Sequence, residues 1–510
     1  MRVHRTSANL ALILAVGFLG LALFGVPLLW WQPSVELAAY LGLLLLFTAL
    51  VAGLVLRRWL HGQLDWFEPG VFAGFLYLIT FGYAGIRSML DPMSLHPFLQ
   101  ADRGWVYRAL FFVMLGVLAL WAGYYSNLGL KLHQLLHRPV RERLRATLVI
   151  RPFMGVSLYL IGLATRLYMV HAGWYSYLMK RESYFASLAP AQLLIMIELF
   201  CGYALVLAWL DYFSHPRDAR RRLLAYALLG SEAAWGFFSG MKANFILPLL
   251  LVIMVYTYKR GRLPLRALLL TLALIILLYP LNQVYRDLVV SGMIQIRSPL
   301  DMVASVPVML RELPFRFDDP ELYLASGYRA TLARTSLVQN YALLLKYLDT
   351  TGAYWYGRYL WMLPALVFVP RFLWASKPLA DKGYWFAVNV WGQDPHVYSS
   401  VAVTYPGDLH LQFGLPSLLG GMFLTGVLFR WLYERYARPR SDYSLFFYVF
   451  LFYNLMQHET DVAFKLAGTV KAFLVLFALS LVVFRFPRRM AHSAAVPPSG
   501  PSPQPIAPTS

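Results

Sequence analysis

The sequence predicts an all-α polytopic membrane protein. We expect about 12 transmembrane helices and a large periplasmic loop that contains amphipathic and re-entrant helices. Hydrophobic residues make up 59% of the 510 residues, and charged residues only 14%. Soluble domains average roughly 45–50% apolar and about 25% charged residues. Because a soluble chain of this length needs far more polar surface to cover its core, the excess of apolar side chains must face lipid.

Twelve stretches are long and apolar enough to cross the hydrocarbon core, which takes about 20 residues of helix. The first of them is too long for a signal peptide and has no small-x-small cleavage site before the next stretch, so we predict an uncleaved first helix. The twelve lie at approximately 8–31, 35–56, 69–87, 104–126, 149–170, 189–212, 222–240, 243–258, 264–281, 407–429, 442–458 and 463–484.

Lysine and arginine concentrate in alternate connections between these stretches. Together with the N-terminus, the basic connections hold about 25 of the 45 basic residues. The positive-inside rule then places both termini in the cytoplasm of a bacterial inner-membrane protein. A net charge of +20 would suggest nucleic acid as the partner of a soluble protein, but here the orientation of the chain accounts for it, and we predict no nucleic-acid partner. The basic connections are Arg57–Arg58, Lys131–Arg151, Arg217–Arg222, Lys259–Arg266, Arg430–Arg440 and Arg485–Arg489.

The charge pattern and the apolar stretches divide the chain into four regions. One long periplasmic connection interrupts the helices, and a Pro- and Ser-rich end follows the last of them. Such an end cannot bury enough apolar surface to fold. The regions are transmembrane helices 1–9 at 1–281, the large periplasmic loop at 282–406, transmembrane helices 10–12 at 407–486, and a disordered cytoplasmic tail at 487–510.

The periplasmic loop is too long to lack structure unless it is functional. Apolar residues recur at helical spacing over Ala325–Leu348, which predicts an amphipathic helix on the membrane surface. Leu360–Trp374 is apolar, but Pro364 and Pro370 interrupt it and it is too short to span a bilayer. We therefore predict a re-entrant or interfacial segment there.

Charged residues within the apolar stretches are the first candidates for function, because charge is costly in lipid and usually faces a cavity or a partner. For Glu198 and Glu232 the competing interpretation is a buried ion pair that fixes helix packing. The Walker A, GxGxxG, HExxH and CxxC motifs are absent from the sequence, so nothing predicts a metal or a cofactor. The candidates are Arg166, Glu198, Glu232, Lys242 and Lys471.

Cationic clusters at the predicted periplasmic surface are the second set of candidates. Arginine and lysine suit phosphate oxygens, and the interleaved Tyr and Trp suit sugar rings or lipid headgroups. In several segments the chain resembles bacterial oligosaccharide repeat-unit polymerases of the Wzy type. The segments are Arg334-Thr335-Ser336, Gly357, Pro370-Arg371-Phe372-Leu373-Trp374, Lys377-Pro378, Gly407-Asp408, Phe413-Gly414 and, with Lys242 in place of the usual arginine, Phe238-Ser239-Gly240-Met241-Lys242.

The resemblance implies polymerisation of undecaprenyl-diphosphate-linked oligosaccharide repeat units at the periplasmic face, in surface or exopolysaccharide biosynthesis. A metal-independent, cofactor-free glycosyltransferase of this kind lets a hydroxyl of one unit attack the anomeric carbon of another chain and displace undecaprenyl diphosphate. A chain-length regulator and a flippase are the implied protein partners. The implied residues are His410, Asp408 and Arg334 for catalysis, Arg371, Lys377, Lys242 and Arg286 for the diphosphate, and Trp374, Tyr356 and Tyr405 for the glycan.

Three other functions are compatible with the sequence. A flippase or transporter for lipid-linked glycans shares the intramembrane charges, but it does not need a large ordered loop and often shows two related halves, which are not seen here. A ligase that moves a finished glycan to another acceptor uses the same donor chemistry. A structural partner in an envelope assembly leaves the cationic clusters unexplained.

Overall fold

The computed structural model describes residues 35–91, 94–136, 148–151, 153–175, 188–316, 336–369, 374, 382–396 and 399–486. These residues form α-helices joined by short connections, with one two-residue pairing of strands. In chain order the first half contains α1 Val35–Leu60, α2 Pro69–Tyr77, α3 Ile86–Leu90, α4 Pro97–Gln100, α5 Gly104–Tyr125, α6 Asn127–Leu136, β1 Val149–Ile150, α7 Met154–His171, α8 Leu188–Glu198, α9 Phe200–Ser214 and α10 Ala219–Phe238.

The second half begins with a tight turn at Gly240, which has a φ of 69°. A π-helical turn, Leu78–Gly82, and a 3₁₀ turn, Tyr83–Gly85, connect α2 to α3, and a π-helical turn, Tyr433–Ala437, extends α18. The remaining elements are α11 Lys242–Arg260, α12 Leu265–Val290, α13 Pro299–Arg316, α14 Val338–Thr351, α15 Arg358–Phe368, α16 Gly383–Asn389, α17 Tyr405–Phe413, α18 Leu415–Leu432, α19 Asp442–Met456, α20 Val462–Val483 and β2 Phe484–Arg485.

Eight helical stretches within the described residues are long and apolar enough to cross a membrane. All eight overlap predicted spans, which is the architecture of an all-helical membrane protein. The predicted span 407–429 is shifted to Leu415–Ala437, because a separate short helix ends at Phe413. They are Val35–Leu60, Pro69–Leu90, Gly104–Tyr125, Leu193–Ser214, Ala243–Arg260, Leu265–Val290, Leu415–Ala437 and Val462–Val483.

Three further predicted spans are helices, but they are not among these eight. Helix α7 contains Arg166 and His171 within 18 residues. Helix α10 contains three consecutive arginines near its start and Glu232 in its interior, and α19 has only 15 residues. The predicted first span, 8–31, lies outside the described residues. The count of 12 spans therefore remains a prediction.

Connections that the charge pattern assigned to the cytoplasm lie together at one end of the bundle. The strands β1 and β2 pair antiparallel there, with Val149 opposite Arg485. The Tyr433 hydroxyl donates to Asp65 over 3.0 Å, and Asp442 binds both Ser214 and Lys259. Since these contacts join residues far apart in sequence, the tertiary structure groups the connections as the charges do.

The intervening connections meet at the opposite end. The backbone N–H of His96 donates to Gln339 over 3.2 Å, and Lys346 donates to the carbonyl of Phe98. The Thr404 N–H donates to the carbonyl of Glu459. We call this end the loop end, because α14, α15 and α16 of the predicted periplasmic loop lie there.

The loop differs from its prediction at its first boundary. Helix α12 continues to Val290, eight residues beyond the predicted start of the loop at Asn282. The helix continues because Tyr285 and Leu288 are buried and Gln283 donates to Asp287 one turn later, over 2.8 Å. Within the predicted amphipathic helix Ala325–Leu348, the described residues are helical from Val338. This part of the helix is buried in the core and does not lie on a surface, since Tyr341 and Leu344 are 0% exposed.

The predicted interfacial segment contains helix α15, 11 residues long with Pro364 inside it. Trp361 is 86% exposed and Phe368 is 67% exposed, so apolar side chains project from the surface of the bundle. The helix packs against α20. Exposed apolar side chains at this position fit the predicted re-entrant or interfacial segment, which stays a prediction.

Helices α5 and α18 form the closest helix pair at the centre of the bundle. A Cβ on Gly123 would lie 2.0 Å from the carbonyl oxygen of Phe423, and one on Gly426 would lie 2.0 Å from that of Leu120. Only glycine allows backbones to approach this closely, as at small-residue contacts between membrane helices. This contact fixes α18, and α17 before it, against the core.

The topology predicts where reporters fused to the chain will be active. Fusions after Asp349, at the loop end, and after Ser510 are expected on opposite sides of the membrane, and a fusion after Gly261 on the same side as Ser510. Alkaline phosphatase, active only in the periplasm, and green fluorescent protein, fluorescent only in the cytoplasm, measure this. Equal reporter activity after Asp349 and Ser510 would contradict the predicted orientation.

Candidate active site

Helix α17 begins at a strained residue. Thr404 is fully buried and has φ 68° and ψ 145°, a conformation normally restricted to glycine. Its hydroxyl accepts a hydrogen bond from the N–H of Gly407 over 3.1 Å and caps the helix. A backbone conformation of this kind costs about 1–3 kcal/mol and persists only where surrounding contacts impose it, which is typical of functional sites.

Asp408 lies one turn into α17 and is 0% exposed. Its Oδ1 accepts hydrogen bonds from Lys382 Nζ over 2.5 Å and from Gln412 Nε2 over 3.2 Å. Its Oδ2 accepts from the backbone N–H of Val462 over 2.9 Å. Both carboxylate oxygens are therefore occupied, and the carboxylate joins α17 to Lys382 and to the start of α20.

Asp461 is a second buried carboxylate beside this pair. It caps α20 by accepting from the Phe464 N–H over 2.9 Å, and its other oxygen accepts from the backbone N–H of Lys382 over 3.4 Å. Burial and the neighbouring carboxylate of Asp408 raise the pKa of Asp461 to about 6. Lys382 also lies 5.1 Å from the centroid of the Trp355 ring. One cation thus serves two carboxylates and an aromatic face.

Lys465 lies one turn into α20 and is 3% exposed. Its Nζ is 3.5 Å from the centroid of the Tyr405 ring, and the Tyr405 hydroxyl is 2.7 Å from Thr425 Oγ1. We refer to Lys382, Asp408, Asp461, Lys465 and Tyr405 as the buried charge cluster.

Sequence reasoning identified Asp408 and Tyr405 but missed the other three members of this cluster. Lys471 was selected because it is a charged residue within an apolar span. Lys465 meets the same criterion but was not selected. No local pattern marks Lys382 or Asp461, which sequence separates from Asp408 by 26 and 53 positions.

His410 follows Asp408 on α17 and is also buried. Its Nδ1 is 2.9 Å from the Tyr341 hydroxyl of α14, and its ring packs against Phe112. Helix α17 lies before the span that begins at Leu415, and burial there lowers the pKa of His410 to about 4. The imidazole is therefore neutral at physiological pH. The sequence gives no sign that this ring is enclosed, because His410 lies in a short helix that follows a loop.

The predicted glycan-binding residues occupy different environments. Tyr356 is exposed at a positive φ of 46°, and its N–H donates to the carbonyl of Gln412 over 2.8 Å. Tyr405 is buried, and Trp374 is partly buried. Tyr356 thus lies over the last turn of α17, while Tyr405 lies inside the buried charge cluster.

Only some of the predicted diphosphate-binding residues lie within the described part of the chain. Arg334, Arg371 and Lys377 lie outside the described residues, and so does the side chain of Lys242. Lys242 begins α11 and Arg286 is in α12. The structure brings these two segments together, because Asn282 Nδ2 donates to the carbonyl of Phe237 over 2.7 Å. Tyr285 belongs to a second apolar cluster, separate from the core around α17, so Arg286 and Asp408 flank different parts of the bundle.

Glu198 and Glu232 both pair with one arginine, Arg166. Its guanidinium makes two bonds with Glu232, of 2.8 and 3.1 Å, and two with Oε1 of Glu198, of 2.8 and 2.6 Å. The three residues join α7, α8 and α10, with Trp235 5.3 Å from the guanidinium. This triad is the ion pairing that the competing interpretation predicted for Glu198 and Glu232. The triad therefore supports helix packing and is not the candidate site.

An open cleft lies at the other end of the bundle, lined by Leu130, His133, Gln134, Glu434, Arg438 and Pro439. It is far from the strained turn and the buried carboxylates, so the loop end is the better candidate for chemistry.

The fold and the site define an all-helical membrane protein with a buried cluster of mixed charge, where a segment of the predicted periplasmic loop meets helix α20. Compared with protein families, with curated proteins and with solved structures, the chain matches none of them.

Proposed function

We propose that this protein is an inner-membrane glycosyltransferase that polymerises undecaprenyl-diphosphate-linked oligosaccharide repeat units at the periplasmic face. It spans the membrane many times, with both termini in the cytoplasm. The observation that carries the proposal is the Lys382–Asp408 pair, which is buried at the loop end together with Asp461. Burying charges is costly, and such arrangements cluster where chemistry requires fixed charges.

The chemistry balances without a metal or a cofactor. A hydroxyl of the acceptor unit attacks the anomeric carbon of the donor chain, and the bond from that carbon to the diphosphate oxygen breaks. The electron pair of the broken bond leaves with undecaprenyl diphosphate, whose charge needs cations at the membrane surface. Arg334, Arg371, Lys377, Lys242 and Arg286 remain the proposed sources of that charge.

His410 is the proposed acceptor of the hydroxyl proton. A neutral imidazole whose Nδ1–H donates to the Tyr341 hydroxyl presents a lone pair at Nε2. Asp408 suits a different role, because its oxygens already accept three hydrogen bonds. It holds Lys382 and the start of α20 in place and so positions the site.

Exposed aromatic side chains at the loop end support a lipid-linked glycan as the substrate. Trp361 and Phe368 of α15 project at the surface beside α20, whose own Phe464 is 46% exposed. An isoprenoid chain in the bilayer would contact these groups, while Tyr356 suits the glycan.

The test of this function measures glycan length when the chain is deleted and restored. Deletion should leave single lipid-linked repeat units at the periplasmic face and no long glycan, and the wild-type gene should restore length. Single units retained at the cytoplasmic face would instead favour a flippase. Long glycan that is made but not transferred to its final acceptor would favour a ligase.

Arg371→Lys is expected to lower polymerisation even though the charge is kept. Lysine cannot make the planar two-point contact with phosphate, and a lost charge-assisted hydrogen bond is worth about 1.5–3 kcal/mol. This corresponds to roughly ten- to a hundredfold in rate if the bond forms mainly in the transition state. Arg371→Ala should lose more. Wild-type glycan length in a well-expressed Arg371→Ala variant would remove Arg371 from the site.

A further inference from the structure

Several polar atoms beside the buried charge cluster have no hydrogen-bond partner among the described residues. They are His458 Nε2, Gln412 Oε1 and Thr460 Oγ1. His458 is 7% exposed and Gln412 is 1% exposed. A buried polar atom without a partner costs about 1–3 kcal/mol, so three such atoms in one region point to a group that completes them.

The atoms belong to one continuous region. The carbonyl of His458 accepts from the Tyr405 N–H over 2.8 Å, and Lys465 lies over the Tyr405 ring. Gln412 donates to Asp408, which in turn binds the N–H of Val462, two positions after Thr460. The residues that carry the three atoms are therefore connected through hydrogen bonds between α17 and the segment that leads into α20.

The chemistry of these atoms selects the ligand. His458 Nδ1 is 3.3 Å from the carbonyl of Met456, which can only accept, so Nδ1 carries the proton and Nε2 is an acceptor. Burial, with the nearby charge of Lys465, lowers the pKa of His458 to about 3 and keeps the ring neutral. Gln412 Oε1 is also an acceptor. Two acceptor atoms require a ligand that donates hydrogen bonds. A hydroxyl group carries a proton that it can donate, whereas a fully ionised phosphate carries none.

The surroundings suit a sugar. Lys465 makes no ion pair within the described part of the chain, and its ammonium can donate to a hydroxyl oxygen. The His458 ring is flanked by Tyr77 and Phe81, with centroids at 5.7 and 6.3 Å, and aromatic faces pack well on the C–H surfaces of sugar rings. Gly468 and Thr469 lie one turn beyond Lys465 on the same helix face and are only half-buried. This face of α20 therefore reaches the molecular surface within one turn of Lys465.

We propose that His458, Gln412, Thr460 and Lys465 form a subsite that binds hydroxyl groups of the glycan. The proposal rests on the proposed function and adds to it a subsite for the sugar that is distinct from the cations assigned to the diphosphate. In this subsite a sugar hydroxyl donates to His458 Nε2 or Gln412 Oε1 and accepts from Lys465 Nζ. These residues position the glycan and do not touch the broken bond.

The test measures the affinity of the purified full-length chain in phosphatidylcholine nanodiscs for two probes. One is the repeat-unit oligosaccharide released from its lipid by mild acid, and the other is undecaprenyl diphosphate. His458→Phe should weaken oligosaccharide binding about tenfold and leave undecaprenyl diphosphate binding unchanged. His458→Gln, which retains an acceptor, should recover most of the affinity. His171→Phe is the matched control, because His171 is an exposed histidine at the end of α7.

Thr460→Val is a second variant with little risk to folding, and it should weaken oligosaccharide binding about three- to tenfold. Wild-type oligosaccharide affinity in both His458→Phe and Thr460→Val would overturn the subsite and leave buried water as the partner of these atoms. Equal weakening of both probes would also overturn it, because the subsite is specific for the sugar. If the wild-type gene fails to restore long glycan in the deletion strain, the proposed function itself is rejected, independently of these affinities.

Discussion

Lys382→Met and Asp408→Asn are each expected to abolish long glycan. Lys382→Met leaves the Asp408 carboxylate buried without its cation, and Asp408→Asn leaves the Lys382 ammonium without its strongest acceptor. Breaking a buried ion pair on one side typically costs about 3–5 kcal/mol. Each single variant should therefore lower the thermal unfolding temperature in detergent as well as polymerisation in cells.

The double variant Lys382→Met/Asp408→Asn separates folding from chemistry. Removing both charges removes the pair, and replacing a buried pair is often neutral for stability. Asp461 keeps its two backbone donors, the N–H groups of Phe464 and of position 382. The Asn amide oxygen can still accept from the N–H of Val462. We expect the unfolding temperature to recover while polymerisation stays at least about a hundredfold reduced. Recovery of long glycan in the double variant would show that the pair only supports the fold.

Arg166→Met is expected to destabilise the bundle more than any other single change to the triad. It leaves the buried Glu232 and the partly buried Glu198 close together with no cation, so like-charge repulsion adds to the cost of two unpaired carboxylates. Loss of one partner of a buried pair typically costs about 3–5 kcal/mol. Detergent unfolding curves and the amount of protein in the membrane measure the effect.

The triple variant Arg166→Met/Glu198→Gln/Glu232→Gln is the matched test of this explanation. It removes every charge and should regain most of the lost stability. Arg297→Met controls for the loss of an arginine, since Arg297 is exposed. Because the triad stabilises packing, the triple variant should also regain polymerisation in proportion to the amount of folded protein. Regained stability with no long glycan would assign the triad a role in function.

The helical membrane architecture was predictable from the sequence because it depends on local properties. Apolar stretches of about 20 residues and alternating basic connections each leave a signal within a short window. That the apolar segment containing α15 forms only a short helix was predictable for the same reason, since prolines and length exclude a span. The end of α12 was misplaced because Asn282–Asp287 is largely polar in sequence, while the buried face of this part of the helix appears only through contacts with Phe237 and Phe238.

The candidate site was only partly predictable. A motif at Gly407-Asp408 drew attention to α17, and the charge within an apolar span could have added Lys465. The partner of Asp408, the cap at Asp461 and the unpaired Nε2 of His458 could not be deduced, because each depends on contacts between distant segments.

The sequence by itself determined that this is an all-helical membrane protein, which basic connections share a side, and which short motifs deserve testing. Only the tertiary structure decided that Glu198 and Glu232 share Arg166, that Asp408 is held by Lys382, and that Arg286 lies apart from Asp408. The physical reason is range. Hydropathy and charge act through each residue's own transfer between water and lipid, whereas an ion pair in a low-dielectric interior requires two groups within about 4 Å. That proximity is set by helix packing, including the glycine contact between α5 and α18.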